Sequence, residues 1–243
     1  MAAQSENESK SYRDPLGARI QAVSAAHERR AAKYPPVKEV YEGFYLQFNP
    51  NTQAGTHFLA GSEGIIGTKM GITAEADKLL LTTFDGRALA QLEGKPAEKI
   101  RRHLLNGWSV NVMLSLIIYT HEGNSFTGEL ACICFDPALG LPLESFVKNI
   151  TYRISKGTHP GLKLMQEQLI KVLESNGAWY LTKDVPLPER KKGSIIYKRR
   201  KTWSEHLTSA AIQGNIGCKI VSTMAWIAIA AGILLAIWWF LLR

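Results

Sequence analysis

The chain has 243 residues, of which 46% are hydrophobic and 21% charged, so it can bury a core and is not disordered throughout. Its three cysteines are too few for a disulfide-rich secreted scaffold. The formal net charge is +8, but residues 37–182 carry a net charge of −1, which leaves no net basic excess there for a nucleic-acid-binding face.

Residues 1–36 are predicted to form a polar segment that contains one amphipathic helix. Residues 1–14 are polar and predicted to be disordered, and they lack the apolar stretch of a signal peptide. The helix is predicted from Pro15 to Lys33, with Asp14 as its cap. We expect it to dock on the following domain, and contact with a partner or a membrane is the alternative.

Residues 37–182 are predicted to form one domain, which begins with an aromatic strand from Glu39 to Phe48. The stretch from Asn51 to Gly71 contains five glycines and is predicted to be a loop. The order Gly67-Thr68-Lys69 differs from the ending of a phosphate-binding Walker A loop. We therefore expect these glycines to serve turns or a mobile loop over a site.

A hairpin and a short helix are predicted next. The strands Lys78–Phe84 and Arg87–Leu92 flank Asp85-Gly86, a dipeptide typical of a type I′ turn. The helix is predicted from Pro96 to Leu105, and Asn106-Gly107 provides its C-terminal stop.

Two long strands are predicted from Trp108 to Thr120 and from Ser125 to Phe135, joined by a turn at Glu122–Asn124. Both strands are apolar on both faces over part of their length. We therefore expect them to lie in the centre of the sheet.

Residues 79–120 resemble the HIRAN domain in the order of their elements: strand, turn, strand, short helix, glycine and long strand. The matching positions are Asp85-Gly86, Leu89–Leu92, the helix Pro96–Leu105 and Gly107. The resemblance implies a small β-barrel that binds DNA ends. It transfers no individual binding residue to this chain.

Cys132 and Cys134 lie on the same face of a predicted strand, where two thiolates could approach one metal ion. No further Cys-x-x-Cys or His-x-x-His completes such a site, so we interpret both as small buried hydrophobes. The six histidines have no partner at ligand spacing, and no nucleophile, carboxylate pair or triad stands out. The sequence therefore predicts no catalytic residue, no metal site and no cofactor.

The domain is predicted to end with a helix and an edge strand. His159-Pro160-Gly161 opens the helix, and Asn176-Gly177 closes it. Its predicted buried stripe consists of Leu162, Met165, Leu169 and either Val172 or Leu173. The edge strand is predicted from Ala178 to Thr182. The expected fold class is α+β, a mostly antiparallel sheet or half-barrel with two packed helices and one C-terminal transmembrane helix.

Residues 183–219 are predicted to be a basic juxtamembrane arm with a net charge of +6. We expect its cations to contact anionic lipid headgroups. These cations are Arg190, Lys191, Lys192, Lys198, Arg199, Arg200, Lys201 and Lys219. The alternatives are that they only set membrane topology, recognise one specific lipid, or contact nucleic acid.

Residues 220–242 form a stretch of 23 residues without a charge and are predicted to be a transmembrane helix. A buried core helix is the alternative. Lysine and arginine are enriched on the N-terminal side of the stretch, which predicts that residues 1–219 lie in the cytoplasm. The small residues Ala228, Gly232 and Ala236 recur every four positions and could form a homodimer seam, although such residues are common in membrane helices.

These patterns predict a tail-anchored, single-pass protein of a bacterial inner membrane or an organelle membrane. Its cytoplasmic domain would act as a non-enzymatic binding or scaffolding module for an unidentified protein partner. The first alternative is a membrane-tethered, HIRAN-like nucleic-acid-binding module. The second is an enzyme acting on a membrane-borne substrate, with His57 or the loop Gly55–Gly71 near its site.

Overall fold

The computed structural model describes residues 33–75, 78–190 and 192–202. Apart from Lys33, the predicted N-terminal helix lies outside the described residues, as does the predicted membrane segment 220–242. No helix in the described ranges combines the length and the apolarity that crossing a membrane requires.

Helices and strands alternate along the described chain. The helices are α1 (Val37–Val40), α2 (Gln53–Ala60), α3 (Gly94–Leu105), α4 (Gly140–Ser155) and α5 (Gln166–Glu174), with a short 3-10 helix at Pro137–Leu139. The strands are β1 (Tyr41–Phe48), β2 (Lys69–Glu75), β3 (Lys78–Thr82), β4 (Ala88–Leu92), β5 (Ser109–Thr120), β6 (Ser125–Phe135) and β7 (Ser194–Lys198).

The described strands form one sheet in the order β1-β6-β5-β2-β3-β4, and β7 also pairs with β5. Each of the strand pairs in this sheet is antiparallel. The protein is therefore a mixed fold of a mostly antiparallel sheet and several helices. The central hairpin β5–β6 is buried along most of its length, which confirms the central position predicted for both strands.

The second edge of β5 is shared by two strands. Its first half pairs with β2, where Val112 and Met113 face Met70 and Lys69. Its second half, Ile117–Thr120, pairs with β7. The strand β7 lies in the basic segment and was not predicted from the sequence, so the sheet includes part of that segment.

The helix α4 was also missed, and it is the longest described helix, with 16 residues. It packs one apolar stripe into the core under the sheet. The stripe consists of Leu143, Phe146, Val147, Ile150 and Ile154. This spacing of three, four, seven and eleven positions is the pattern of an amphipathic helix and was present in the sequence. The expectation of two packed helices was therefore too low.

The glycine-rich stretch from Asn51 to Gly71 is not a single loop, because it contains α2 and the start of β2. Leu59 and Ile66 within it are fully buried. The prediction of a loop there is wrong, since the apolar residues between the glycines are drawn into the core.

The strands β1 and β4, at the two ends of the strand order, each contact another part of the chain. At β4, the Asn51 side-chain oxygen accepts a hydrogen bond from the Gln91 amide at 3.1 Å, and Thr52 bonds the Leu89 carbonyl at 2.9 Å. At β1, the Tyr41 hydroxyl donates to the Leu162 carbonyl at 2.7 Å.

The edge strand predicted from Ala178 to Thr182 is wrong, because these residues are irregular. The Arg153 guanidinium donates hydrogen bonds to the carbonyls of Leu181 and Thr182 and so uses groups that a strand partner would need. A single bridge, between Pro160 and Asp184, follows this stretch.

Two further local predictions are corrected. The turn at Asp85-Gly86 is not type I′, because Gly86 has a positive φ of 86° and Asp85 does not. The Gly86 amide instead bonds the Thr83 carbonyl at 3.1 Å, which leaves Phe84 and Asp85 at the centre of the turn. The last helix, α5, begins at Gln166 and not at His159, so Met165 precedes it and is 65% exposed rather than buried.

Candidate functional site

The basic segment was the main predicted binding element, and the structure places part of it against the folded domain. Of its cations, Arg190, Lys192, Lys198, Arg199, Arg200 and Lys201 are described. Lys191 and Lys219 lie outside the described residues, as do the predicted seam residues Ala228, Gly232 and Ala236.

Two of these cations bind carbonyl groups of the domain. The Lys198 ammonium donates to the carbonyls of Gly64 at 3.2 Å and Gly61 at 3.4 Å, after the end of α2. The Arg199 Nε donates to the Gly157 carbonyl at 2.8 Å, just after α4. A cation at the C-terminal end of a helix is favoured by the helix dipole. Lys198 and Arg199 therefore hold the segment on the domain as well as supplying positive charge.

The C-terminal end of α4 presents an aromatic and basic surface that the sequence did not indicate. Tyr152 is 62% exposed, and the Lys156 ammonium lies 5.3 Å from the centre of its ring. The backbone of Lys201 donates to the Ser155 carbonyl at 2.8 Å, which brings the basic segment alongside this helix end. The amphipathic pattern of α4 would have located these residues on its outer face.

A polar groove lies at the tip of the β5–β6 hairpin and has a volume of about 440 Å³. It is lined mainly by amide and hydroxyl side chains, together with one aromatic ring, one carboxylate and one ammonium group. The residues that carry these groups include Asn49, Thr120, Glu122, Asn124, Phe126 and Lys192. Such a groove offers hydrogen bonds to a polar partner, and its two opposite charges leave it without a net charge.

A second depression of about 370 Å³ adjoins the first and shares Asn49 and Thr127 with it. The Thr127 hydroxyl donates to the Asn49 side-chain oxygen at 2.9 Å between the two. Residues from the ends of both edge strands line this depression, Gln47 in β1 and Gln91 in β4 among them.

A buried polar network joins β5, β6 and the chain after α4. The Glu129 Oε1 atom accepts hydrogen bonds from the Ser115 hydroxyl at 2.6 Å and is 2.9 Å from His159 Nε2. Ser115 is the extra residue of a β-bulge opposite Glu129, since Leu114 and Leu116 pair on either side of it. The Tyr45 ring stacks on the His159 imidazole at 4.0 Å.

The electrostatics of this network favour a charged imidazole. Burial alone lowers the pKa of His159, but its hydrogen bond to Glu129 and the charge of that carboxylate raise the pKa above its ordinary value of 6.5. Burial and the charges of Glu129 and Asp184 raise the pKa of Tyr45, so its hydroxyl stays protonated. That hydroxyl donates to the Pro160 carbonyl at 2.7 Å.

The network is suited to holding structure rather than to nucleophilic chemistry. Ser115 is only 5% exposed and donates to the Glu129 carboxylate rather than to the imidazole, so its hydroxyl is neither open to a substrate nor paired with a histidine base. The other imidazole nitrogen, Nδ1 of His159, is 3.1 Å from the Val185 carbonyl. The network therefore ties the chain around Val185 to the central strands.

A second cluster lies between α3 and β1. The Glu42 carboxylate bonds Lys99 at 2.5 Å and His103 Nε2 at 2.8 Å, and the His103 ring stacks on Trp108 at 4.2 Å. Burial raises the pKa of Glu42, but these two partners lower it below its ordinary value overall. The cluster fixes α3 to the edge strand β1.

Cys132 and Cys134 are both buried free thiols, as their interpretation as small hydrophobes predicted. Burial raises the pKa of both thiols, that of Cys134 to about 12, so both are neutral near pH 7. Within the described ranges no group of three or more histidine, cysteine or acidic side chains is placed to hold a metal ion.

Comparison of the chain with models of protein families, with curated proteins and with solved structures finds no match. The order of elements expected over residues 79–120 is present, as strand, turn, strand, helix and long strand. The resemblance of this stretch to the HIRAN domain remains a prediction.

Proposed function

We propose that this chain is a membrane-held binding module. Residues 220–242 would cross the bilayer once, and the described domain would face the cytoplasm. The observation that carries the proposal is the stretch of 23 uncharged residues that follows a segment with a net charge of +6. A non-enzymatic role in recruiting or scaffolding a protein partner fits the arrangement of the described polar residues.

The described structure supports the proposal through the position of β7. This strand is part of the sheet and the Lys201 amide bonds the Ser155 carbonyl, so the domain includes residues up to at least Lys201, and residues 203–219 would connect it to the apolar stretch. A connection of 17 residues spans about 25 Å as a helix and about 60 Å at full extension. The domain would therefore stay within about 60 Å of the bilayer surface.

The partner would bind at the polar groove of the hairpin tip. This groove has many hydrogen-bonding groups and no net charge, which suits a polar protein surface better than a phosphate backbone. We also infer that the sheet is curled into a half-barrel, because residues from both of its edge strands line the second depression.

Ala228, Gly232 and Ala236 would form the seam of a homodimer within the bilayer. Small residues at this spacing let two helices approach closely. Replacing Gly232 by isoleucine would then weaken self-association of the full chain, while Ala230→Ile, which would lie on the opposite side of the helix, would not.

The proposal is tested by expressing the full chain in bacteria and extracting the membranes with alkaline carbonate. We expect the chain to remain in the membrane pellet and its domain to be digested only when protease reaches the cytoplasmic side. The double variant Ile229→Arg and Ile233→Arg should be released, because each arginine at the centre of a membrane helix costs about 2.5–3.5 kcal/mol. The matched control with leucine at both positions should stay in the pellet. Release of the unaltered chain by carbonate would refute the proposal.

A further inference from the structure

The described chain leaves the sheet beside the C-terminal end of α4. After β7, the Arg199 side chain bonds the Gly157 carbonyl and the Lys201 amide bonds the Ser155 carbonyl, each at 2.8 Å. Gly157 is in close contact with the stem of Arg200, since a Cβ at that glycine would lie 3.0 Å from the Arg200 Cβ. The direction in which the chain departs is therefore set by three consecutive basic residues.

Four side chains collect at this point, and we name them the exit patch: Tyr152, Lys156, Arg199 and Arg200. All four belong to residues that are exposed. The only acidic residue of α4 is Glu144, near the other end of the helix. The exit patch is therefore positively charged, with an exposed aromatic ring among its cations.

We propose that the exit patch is the face of the domain that lies against an anionic bilayer surface. The inference rests on the proposed function, because it requires residues 220–242 to hold the chain in a membrane. Each cation near an anionic leaflet strengthens the association about fivefold, and tyrosine side chains favour the headgroup region. With residues 203–219 between Thr202 and the membrane segment, the patch would stay within about 60 Å of the headgroups.

The hairpin tip lies at the far end of β7. Ser194 pairs with Thr120 at the tip, whereas Lys201 contacts Ser155 at the exit patch. Lys201 lies seven positions after Ser194 in mostly extended chain, a distance of roughly 20 Å. With the exit patch on the bilayer, the polar groove at the tip would remain open to a partner in the cytoplasm.

The test uses the full chain in lipid nanodiscs with a fluorescent acceptor on the headgroups. The donor dye is placed on Lys148→Cys, one helical turn from Tyr152, or on Glu122→Cys at the hairpin tip. Cys218→Ser removes the third cysteine, and Cys132 and Cys134 are buried. With anionic lipid present, we expect stronger energy transfer from position 148 than from position 122.

The charge dependence gives the second comparison. Lys156→Gln together with Arg200→Gln should lower the energy transfer from position 148. The transfer from position 122 should not rise. A matched pair, Lys38→Gln with Lys95→Gln, removes two cations elsewhere and should have no effect. Equal energy transfer from positions 148 and 122 in anionic nanodiscs would overturn the proposal that the exit patch lies against the bilayer. A chain that does not enter nanodiscs at all would instead refute the membrane anchor.

Discussion

At the scale of single residues, the unusual feature is a carboxylate at the centre of the sheet. Glu129 is only 2% exposed, and it is satisfied by Ser115 and His159. A buried charge of this kind is tolerated when it is paired and hydrogen-bonded, and removing one partner leaves an expensive unpaired charge. The network is therefore sensitive to substitutions that preserve shape but remove charge.

We expect Glu129→Gln to lower the pKa of His159. The glutamine keeps the size of the side chain but removes the negative charge that opposes the effect of burial on the imidazole. Titration of the His159 ring by NMR in the full chain in detergent measures the pKa directly. The exposed Glu144→Gln variant on α4 serves as the control. An unchanged pKa in Glu129→Gln would show that another group sets it.

The same histidine makes stability depend on pH. Because its pKa is raised in the folded state, its contribution is fully present below 6.5 and is lost as the pH rises through the folded pKa. The Tm of the full chain should therefore fall as the pH is raised from below 6.5 into the alkaline range. In His159→Gln this part of the fall should be absent. A parallel decline in both proteins would contradict the assignment to His159.

At Gly177, we expect the addition of a single methyl group to lower stability strongly. It has a φ of +80°, and a Cβ there would overlap the Pro142 carbonyl oxygen at the start of α4. Gly177→Ala should lower the free energy of unfolding by about 2–5 kcal/mol, from backbone strain plus overpacking. Gly86→Ala, at a similar φ of +86° but with nothing within 4 Å, should cost only about 1–2 kcal/mol. Urea unfolding compares the two, and equal losses would contradict the packing argument.

At the scale of elements, the edge strand β4 depends on a side chain from another part of the chain. The Asn51 side-chain oxygen accepts a hydrogen bond from the Gln91 amide, which would otherwise face outwards. Asn51→Ala should therefore speed hydrogen exchange at Gln91 by roughly 2- to 10-fold. The amide of Val112 in the central strand β5 should exchange at its original rate. If Gln91 exchanges no faster, its protection comes from another source.

Local pattern was sufficient for the central hairpin and its neighbours. Residues 125–135 were predicted with the observed bounds, and α3 begins two residues earlier than predicted. These elements carry their signals within themselves, as turn residues and runs of apolar side chains. The apolar stripe of α4 carried an equally local signal and was overlooked.

Other elements depend on partners that are distant in the sequence. β7 has only five residues and lies between two basic clusters, so the strand-forming Ile195, Ile196 and Tyr197 were overlooked, and it pairs with the second half of β5. Residues 178–182 have a strand-like composition, but the Arg153 guanidinium donates hydrogen bonds to the carbonyls of Leu181 and Thr182. The exit patch combines residues 152–156 with 199–200, and no spacing in the sequence shows that these two stretches meet.

At the scale of the whole molecule, the boundary of the folded unit can be tested by truncation. A chain that ends after Thr182 lacks β7, the Arg153–Asp184 ion pair and the contact of His159 with Val185. It should be less stable than a chain that ends after Thr202 by more than about 3 kcal/mol, because several hydrogen bonds are lost together. Urea unfolding measures the difference, and equal stability would show that β7 contributes nothing to the fold.

The charge distribution also predicts weak binding to nucleic acid. Residues 37–182 carry a net charge of −1 and residues 183–219 a net charge of +6, so we expect the full chain in neutral nanodiscs to bind single-stranded or duplex DNA only weakly, and through the basic segment. Fluorescence anisotropy at low and high salt measures this. Tight binding that survives Arg199→Gln and Arg200→Gln would favour the HIRAN-like alternative.

The shared edge of β5 has a consequence for how the protein is made. The first half of β5 pairs with β2, which precedes the central hairpin in the sequence, and the second half pairs with β7, which follows it. The sequence between Phe135, at the end of the hairpin, and Ser194, at the start of β7, contains 58 residues. At about 5–20 residues per second, a ribosome needs about 3–12 s to translate them. During that interval the nascent sheet presents the unpaired backbone of Ile117–Thr120 to neighbouring nascent chains. The cations Arg199, Arg200 and Lys201 follow β7 immediately, so the strand that closes this edge arrives with charge that repels a second copy.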